Sequence, residues 1–375
     1  MQCLCFPLEL FIKICVQMLI TVAPPKGWVY ISIYLKELQS GAIACTEVSI
    51  SFCLTSLFVF PGRQSETRRT SAEFRRAELP CPGSQTCPFS WKLNSQMGAR
   101  KLVLPLLSVA SLLHIAATLR ISAFNIQAFG DSKLSNETAA DIIINILSRY
   151  DIALVQEVRD SDLSAVTKLM DQLNSMTMDA YSYERSKPLG RESYKEMYLF
   201  IYRKEVVSVV DRYQYEDPED IFSREPFIMK FSSPYLKVKE FVLVPLHTCP
   251  HTAVTEIDAL YDVYLDVIDK WETDDIMFLG DFNADCSYVK EGDWEHIRLR
   301  TSEVFKWLIP DDADTTVGKS DCAYDRIVVC GSKLRKSIVP KSATVYNFQR
   351  AFKLEQAEAL AVSDHFPVEL TLKTH

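Results

Sequence analysis

Two short segments in the second half of the chain carry side chains that could perform hydrolytic chemistry. Residues 279–285 read Leu-Gly-Asp-Phe-Asn-Ala-Asp directly after an apolar run, and residues 363–367 read Ser-Asp-His-Phe-Pro directly before one. Together they supply carboxylates, a carboxamide and an imidazole at the ends of apolar runs. These groups can hold a hard divalent cation and transfer protons at a phosphodiester. The two segments therefore indicate a metal-dependent phosphoesterase.

The segments lie in a stretch, residues 119–375, where short β-branched apolar runs alternate with amphipathic helical patterns. The runs predict strands at 119–126, 152–156, 197–202, 206–211, 227–231, 241–246, 276–279, 324–329 and 368–372. Apolar residues at helical spacing predict helices at 138–148, 163–174 and 254–271. Many strands, a few long helices and no linker predict one α/β (α+β) domain of two packed sheets flanked by helices.

Further polar side chains lie at or beside the ends of these predicted strands. A single acid there is usually a turn or capping residue, and a single histidine is usually structural. A set of eight or more at one sheet edge favours a common site instead. The set comprises Asn125, Glu157, Glu196, His247, Asp281, Asn283, Asp325, Asp364 and His365.

The charge of the chain is unevenly distributed. Residues 1–118 contain 11 Lys+Arg and 6 Asp+Glu, which leaves 30 against 43 and a net charge of −13 in residues 119–375. Proteins that hold DNA by electrostatic attraction alone are basic. A domain this acidic could act on a polyanion only with bound cations and a few well-placed arginines.

A secretory signal pattern begins inside the chain, at Met97. A basic stretch at 98–101 precedes an apolar run at 102–116, and small residues follow at 116–118. This order is typical of a signal peptide, and the run is too short for a comfortable membrane span. The sequence therefore predicts a signal peptide over 97–118 and a secreted domain.

Residues 1–96 precede that signal and need a separate interpretation. They show no sustained helix or strand period, and Glu9 and Lys13 interrupt their first apolar piece. We interpret them as an upstream extension without a folded domain. The alternative is that the extension is real and keeps the protein in the cytoplasm or tethers it to a membrane.

Cysteine usage and a glycosylation sequence agree with export. Seven of the 11 cysteines precede Met97, and the domain contains Cys249, Cys286, Cys322 and Cys330. A secreted domain of this size needs few disulfides, so one or two are expected. Residues 136–138 read Asn-Glu-Thr, which makes Asn136 a candidate for N-glycosylation.

Over its whole length, the domain resembles the deoxyribonuclease I family. The motifs that carry the resemblance are 123–127, 153–160, 190–191 with 194–196, 280–283 and 363–365. A short acidic loop at 217–220 and residues 302–307 resemble the like-2 branch of this family. The resemblance implies a four-layer sandwich of two mainly antiparallel β-sheets flanked by helices, of the endonuclease/exonuclease/phosphatase superfamily type.

The same resemblance implies catalysis by two histidines. Glu196 would orient His247 and Asp325 would orient His365, with one imidazole activating water and the other protonating the leaving 3′-oxygen. The sequence does not assign the acid and the base. The remaining members of the implied catalytic set are Asp281 and Asn283.

The resemblance also implies bound cations. Mg²⁺ or Mn²⁺ would be held by Glu157, Asp364, Asn125 and Asp281. Two structural Ca²⁺ sites are implied more weakly. One would use Asp217, Asp220, Glu225 and the carbonyl of Phe222, and the other would use Asp314 and Thr316.

The implied partner is double-stranded DNA, cut with little sequence specificity to 5′-phosphorylated oligonucleotides. Arg159 and Tyr194 would enter the minor groove, Arg224 would contact a phosphate, and Asn125 would also face the DNA. These contacts read backbone and groove shape rather than base edges. The alternative for Arg159 is a surface ion pair with Asp160 or Asp162.

Two further features follow from the resemblance. Cys286 and Cys322 correspond to the disulfide that the family retains. Glu184 and Arg185 place charge where actin-binding members are apolar, and Phe227 replaces a small residue at that surface, so actin binding is not expected. We expect a monomer without stable membrane association.

Two other functions stay open at this point. A catalytically impaired DNA- or actin-binding protein on the same scaffold would lack a histidine or Glu157, and neither is missing. Another phosphodiesterase of the superfamily would not need Arg159 and Tyr194. A substrate panel would separate these functions.

Overall fold

The computed structural model describes residues 15–23, 28–39, 42–53 and 118–375, except 178–180 and 192. The chain divides into two units, residues 1–92 and 93–375. The predicted signal peptide, apart from Thr118, lies outside the described residues. No described helix has the length and apolar character required to cross a membrane.

The first unit contains an antiparallel sheet of β1 (Cys15–Ala23), β2 (Trp28–Gln39) and β3 (Ala42–Cys53), in that order. The sequence analysis did not identify these strands, because much of β2 is apolar at successive positions and shows no two-residue period. The interpretation of residues 1–96 as an extension without a domain stays a prediction.

The second unit contains two six-stranded sheets. Sheet I has the order β14-β15-β4-β5-β7-β6. Its strands are β4 (Thr118–Phe129), β5 (Ile152–Val158), β6 (Tyr181–Arg185), β7 (Met197–Arg203), β14 (Thr344–Val345) and β15 (Val368–Lys373). Sheet II has the order β12-β13-β11-β10-β9-β8. Its strands are β8 (Ser208–Gln214), β9 (Phe227–Ser232), β10 (Glu240–Pro245), β11 (Ile276–Asp281), β12 (Lys306–Trp307) and β13 (Asp325–Val329).

The sheets are mainly antiparallel, as predicted. Only β4 with β5 and β10 with β11 pair in parallel among the described strands. The described helices are α1 (Asp131–Ser135), α2 (Glu137–Leu147), α3 (Ser164–Met176), α4 (Ala253–Trp271), α5 (Arg298–Thr301), α6 (Ser332–Ser337), α7 (Phe348–Phe352) and α8 (Gln356–Val362). Two 3₁₀ helices lie at Pro250–Thr252 and Glu291–His296.

Three buried apolar clusters separate four layers of structure. The middle cluster lies between the sheets and includes Phe200 and Leu279. A second packs the outer face of sheet I against helices through residues such as Ile143, and a third packs sheet II against α4 through Leu260. The helices are therefore outermost, and the predicted four-layer sandwich is confirmed.

All nine predicted strands occur, and one of them is displaced. The strand expected at 206–211 spans Ser208–Gln214 instead. In the second unit, the strands that sequence analysis missed are an edge strand, β6, and two strands of two residues, β12 and β14. Most of the missed helices have four to six residues, too few for a 3.6-residue period to repeat.

The predicted disulfide between Cys286 and Cys322 is confirmed. Cys249 is a half-exposed free thiol, and Cys330 is a buried one. Burial raises the pKa of Cys330 to about 12. The second unit therefore contains one disulfide within its described residues.

Removing this disulfide should destabilise the second unit measurably. The two cysteines are 36 residues apart, and a cross-link closing a loop of that length stabilises by about 4 kcal/mol in the chain-entropy description. We expect the Cys286→Ala/Cys322→Ala variant to lose about that much unfolding free energy in urea titrations. A Cys249→Ala variant provides the control for loss of a thiol, and equal losses in both variants would contradict the expectation.

Candidate active site

Two histidine–carboxylate pairs form the centre of the site. The Nδ1 of His247 donates to Glu196 Oε1 at 2.6 Å, and the Nδ1 of His365 donates to Asp325 Oδ2 at 2.7 Å. Glu196 immediately precedes β7 and His365 lies three residues before β15, both in sheet I, whereas His247 follows a strand of sheet II and Asp325 begins one. Each pair therefore joins the two sheets. The sequence analysis expected one sheet edge, and the structure places the site across the ends of both sheets.

Asp281 lies between the two imidazoles. Its Oδ2 is 3.7 Å from His247 Nε2 and 3.5 Å from His365 Nε2. The same oxygen accepts a hydrogen bond from Asn125 Nδ2 at 3.0 Å, and Oδ1 accepts one from the backbone N–H of Asn283 at 3.0 Å. The Nε2 atoms of both histidines therefore face one buried carboxylate, which leaves them available for proton transfer.

Charge within the site outweighs the effect of burial on the histidines. Burial lowers the pKa of His247, but the charge and hydrogen bond of Glu196, together with the charge of Asp281, outweigh burial, so the pKa lies above its ordinary value. Burial also lowers the pKa of His365, but Asp325 and Asp281 raise it well above 6.5. The two imidazoles in turn hold the pKa of Asp281 below its ordinary value despite burial. The arrangement favours positive imidazoles around a negative carboxylate.

Gln156 connects the two sheets directly beneath Asp281. From β5 in sheet I, its Oε1 accepts the backbone N–H of Asp281 at 3.0 Å and its Nε2 donates to the carbonyl of Leu246 at 2.7 Å. Gly280 has a φ of +132°, and a Cβ there would lie 2.3 Å from the Leu246 carbonyl oxygen and 2.6 Å from Gln156 Nε2. Position 280 therefore requires glycine. The sequence analysis placed Gln156 in a motif but gave it no role.

Tyr198 and Arg224 hold the backbone of His247 from behind. The Tyr198 hydroxyl accepts the His247 N–H at 2.9 Å and donates to the Arg224 carbonyl at 3.1 Å. Arg224 Nε lies 2.8 Å from Glu196 Oε1 and donates to the His247 carbonyl, while Nη2 donates to Thr248. The Arg224 side chain is only 11% exposed. These contacts show a positioning role, and its predicted phosphate contact stays a prediction.

A buried serine, Ser363, positions the backbone of His365. The hydroxyl of Ser363 donates to the Asn125 carbonyl at 2.7 Å and accepts the backbone N–H groups of His365 and Gln127. Ser363 therefore fixes the start of the His365 segment against β4. Its position two residues before a histidine is compatible with such a turn, but the sequence analysis did not use it.

The carboxylates predicted to hold Mg²⁺ or Mn²⁺ lie at the ends of β5 and α8. Glu157 Oε2 accepts the Ala128 N–H at 2.9 Å, and Asp364 Oδ2 accepts Gln127 Nε2 at 2.8 Å. Both carboxylates raise the pKa of Lys133, which burial lowers, so both lie near its ammonium group. Two buried oxygens, Asn125 Oδ1 and Asp364 Oδ1, have no hydrogen-bond partner within the described part of the chain.

These unpartnered oxygens fit a hard cation. A buried oxygen without a partner is unfavourable, and oxygen is the ligand type that Mg²⁺ prefers. Within the described residues, Glu157, Asp281 and Asp364 do not form a close ligand group, whereas Asp281, Asp325 and His365 have ligand atoms within 4.8 Å of one another. Because His365 and Asp325 hydrogen-bond each other, we assign these two members of the group to proton transfer rather than to a cation.

The loops predicted to bind Ca²⁺ show contacts of their own. Asp217 Oδ2 accepts the Phe222 N–H at 2.7 Å, the Asp220 carboxylate lies 3.6 Å from Arg191, and the Glu225 carbonyl accepts a side-chain N–H. Within residues 118–375 as described, these carboxylates do not form a close ligand group. At the other predicted site, the Oδ1 of Asp314 accepts both the N–H and the hydroxyl of Thr316. Both Ca²⁺ sites stay predictions.

The two residues predicted to enter a DNA groove form an exposed pair. The guanidinium of Arg159 lies 4.4 Å from the centre of the Tyr194 ring. Tyr194 is 43% exposed, and partial burial with nearby Glu157 raises its pKa to about 12. Among the described residues, Arg159 makes no ion pair with its acidic neighbours. The cation–π contact replaces the surface ion pair considered from the sequence.

Two other predicted surface features have clear positions. Asn136 is exposed and caps α2 by accepting the Ala139 N–H at 3.2 Å, and its glycosylation stays a prediction. Glu184 lies on edge strand β6 and pairs with Arg212 at 2.9 Å. Phe227 is only 7% exposed and belongs to the core between the sheets, so its inclusion in the actin-facing surface was wrong.

The second unit is similar to several known proteins. Residues 122–365 match the Endonuclease/Exonuclease/phosphatase family. Deoxyribonuclease-1-like 2 of Mus musculus is 66% identical over 272 residues, covering 72% of this chain and 98% of that protein. Deoxyribonuclease-1 of Gallus gallus is 61% identical over 278 residues, covering 73% and 99%. A solved structure of humanized D. rerio TDP2 is 14% identical, with a TM-score of 0.49 over 68% of this chain and 99% of that one.

The raised pKa of His365 should depend on Asp325. In an Asp325→Asn variant, loss of the negative charge should lower the His365 pKa towards 6.5, as measured by NMR titration of the imidazole. A group whose pKa is higher in the folded than in the unfolded state stabilises the fold fully at pH values below its unfolded-state pKa. This stabilisation is lost as the pH rises through the folded-state pKa. The stability lost in the variant should therefore be larger at pH 5 than at high pH. An unchanged His365 pKa would contradict this assignment.

The bridge made by Gln156 should contribute strongly to stability. A Gln156→Leu variant leaves the N–H of Asp281 and the carbonyl of Leu246 buried without partners. We expect a loss of about 2–6 kcal/mol in urea unfolding, at about 1–3 kcal/mol for each of the two unsatisfied groups. Gln349→Leu, which removes an exposed side-chain hydrogen bond, should change stability by less than about 0.5 kcal/mol. Equal losses of unfolding free energy in the two variants would contradict the stabilising role of the Gln156 bridge.

Proposed function

This chain belongs to the Endonuclease/Exonuclease/phosphatase family and, within it, to the deoxyribonuclease I family, and we propose that it is a DNA-hydrolysing endonuclease. The observation that carries the proposal is the pair of carboxylate-bound imidazoles whose Nε2 atoms both face Asp281. Their geometry supports a displacement at phosphorus that needs one proton acceptor and one proton donor.

In the proposed reaction, His247 and His365 share the proton transfers. The neutral imidazole accepts a proton from water as the water oxygen forms a bond to phosphorus. The protonated imidazole donates to the 3′-oxygen as its bond to phosphorus breaks. The products are a 5′-phosphate and a 3′-hydroxyl. The two carboxylate partners, Glu196 and Asp325, fix the tautomer so that each Nε2 is presented to the substrate.

We further propose that catalysis depends on a divalent cation. The oxygen ligands are Glu157, Asp364, Asn125 and Asp281, and the unpartnered oxygens of Asn125 and Asp364 support this set. Mg²⁺ or Mn²⁺, when bound, would neutralise charge on the scissile phosphate. A net charge of −13 in residues 119–375 makes such neutralisation necessary for a polyanionic substrate. Ca²⁺ at the 217–225 and 314–316 loops is the weaker part of this proposal.

Recognition of the DNA is proposed to involve Arg159 and Tyr194. Their exposed cation–π pair lies beside Glu157, whose charge raises the Tyr194 pKa, so the pair adjoins the cation ligands. A planar ring and a guanidinium suit contacts with groove walls and phosphates, which carry little sequence information. We therefore propose non-specific cleavage of double-stranded DNA.

The cellular setting is also a proposal. The signal pattern at 97–118, the exposed Asn136 and the disulfide support secretion as a monomer. Glu184 on edge strand β6 forms an ion pair with Arg212 on edge strand β8, where an actin contact would need apolar side chains, so we propose that actin does not bind. A cytoplasmic or membrane-tethered form would require residues 1–96 to be retained.

Plasmid nicking by the full chain tests the proposed function. We expect nicking in Mg²⁺ with Ca²⁺ and none in EDTA. His247→Ala and His365→Ala should each reduce the rate by about 10²–10⁴-fold, which is typical for loss of a general acid or base. The matched control is His296→Ala, because His296 is 69% exposed and lies outside the site.

The outcomes separate the remaining functions. Correctly folded protein that binds DNA but never nicks it would contradict the enzyme and favour a binding scaffold. Cleavage of another phosphodiester in preference to DNA would contradict the substrate. An equal loss in His296→Ala would contradict the assigned roles of the two histidines.

A further inference from the structure

A basic groove lies at the end of sheet II away from the catalytic residues. It has a volume of about 690 Å³ and is bounded by β12, α6, the segment 338–343 and the last residue of β15. Its cationic lining residues are Lys306, Arg335, Lys336, Lys341 and Lys373. No described acidic residue lines it. This composition contrasts with the net charge of −13 over residues 119–375.

The cations of the groove are not neutralised by partners. Lys306, Arg335, Lys336 and Lys341 are exposed, and Lys373 is half-buried. Among the described residues, none of the five forms a salt bridge. The Nζ of Lys373 donates to the carbonyl of Lys336, which is neutral and leaves the charge in place. Five unpaired cations facing one groove favour a ligand that carries several negative charges.

The register of β13 shows that the groove and the catalytic residues are separated. Asp325 begins β13, whereas Val328 and Val329 near its other end pair with Trp307 and Lys306 of β12. At about 3.3 Å per residue, the two ends of β13 lie about 13 Å apart. The groove therefore lies at the opposite end of β13 from Asp325 of the candidate active site.

We propose that this groove binds the phosphate backbone of a second DNA segment, at a distance along the same molecule or on a neighbouring one. The inference rests on the proposed function, which makes DNA the polyanion that the protein meets. The acidic catalytic centre would attract DNA through its proposed divalent cation and Arg159, and the groove supplies an independent electrostatic contact. The enzyme would thereby remain on long or networked DNA between cleavage events.

The side chains of the groove favour a phosphate backbone over bases or a lipid bilayer. The Trp307 ring contacts Phe282 and Trp294, and its Nε1–H donates to the Leu299 carbonyl, so it is not free to stack on a base. None of the exposed large hydrophobic residues in the described ranges lines the groove. Membrane surfaces are usually bound by apolar side chains that insert between lipids.

Charge reversal of two exposed lysines tests the groove. In the full chain carrying His247→Ala, with Mg²⁺ and Ca²⁺ present, affinity for a fluorescent duplex of about 300 base pairs is measured across a salt series. We expect Lys336→Glu/Lys341→Glu to weaken binding about tenfold. The slope of log affinity against log salt should fall by about 2, since each phosphate contact contributes about 0.9.

The control has the same charge change outside the groove. Lys204 and Lys290 are exposed and also form no salt bridge among the described residues. Lys204→Glu/Lys290→Glu should leave the salt slope unchanged, and an equal loss would overturn the proposal by showing a net-charge effect. In the background with both histidines intact, the groove variant should nick a 12-base-pair duplex at the unaltered rate and cleave long DNA more slowly.

The short duplex separates failure of this proposal from failure of the proposed function. If the unsubstituted protein does not nick either DNA, the proposed function fails, whereas the salt series still measures the groove. An unchanged affinity and slope in Lys336→Glu/Lys341→Glu would overturn the groove proposal alone. Loss of binding to phosphatidylserine vesicles or to heparin, with unchanged DNA affinity, would also overturn it and assign the groove to that other polyanion.

Discussion

The chemistry proposed for this protein depends on two hydrogen bonds that cross from one sheet to the other. Glu196, beside sheet I, hydrogen-bonds His247, beside sheet II. In the second pair the carboxylate, Asp325, belongs to sheet II and the imidazole, His365, lies beside sheet I. Each side chain is buried, so separating a pair would leave a charge without its partner at a cost of about 3–5 kcal/mol. The imidazoles are therefore correctly positioned only when the two sheets are correctly packed.

Neutral hydrogen bonds support the charged centre from behind. Gln156 holds the backbone of Asp281, Tyr198 holds that of His247 and Ser363 holds that of His365. None of these three side chains needs to ionise, and burial raises the pKa of Tyr198 so that its hydroxyl stays protonated. The backbone of the site therefore keeps its geometry while the imidazoles change charge.

The sequence predicted nine strands of the second unit, the two histidine pairs and the disulfide, because each left a local pattern or a family motif. It missed the supporting contacts, because they depend on which distant residues meet. Tyr198 lies 49 residues from His247, and Gln156 lies 125 residues from Asp281. Phe227 was misplaced for the related reason that an aromatic residue on a strand can face either the core or the surface. Periodicity identifies strands but does not specify the partners of a buried hydroxyl or amide.

The distribution of charge suggests why the same domain is acidic at its centre and basic at one remote groove. Carboxylates must converge at the catalytic edge, where they orient the imidazoles and can hold a cation, and lysines placed among them would compete for the same carboxylates. Cations that attract a polyanion without disturbing that balance must lie beyond the range of the site. With a Debye length of about 8 Å at physiological salt, the length of β13 is enough to separate the two functions electrostatically.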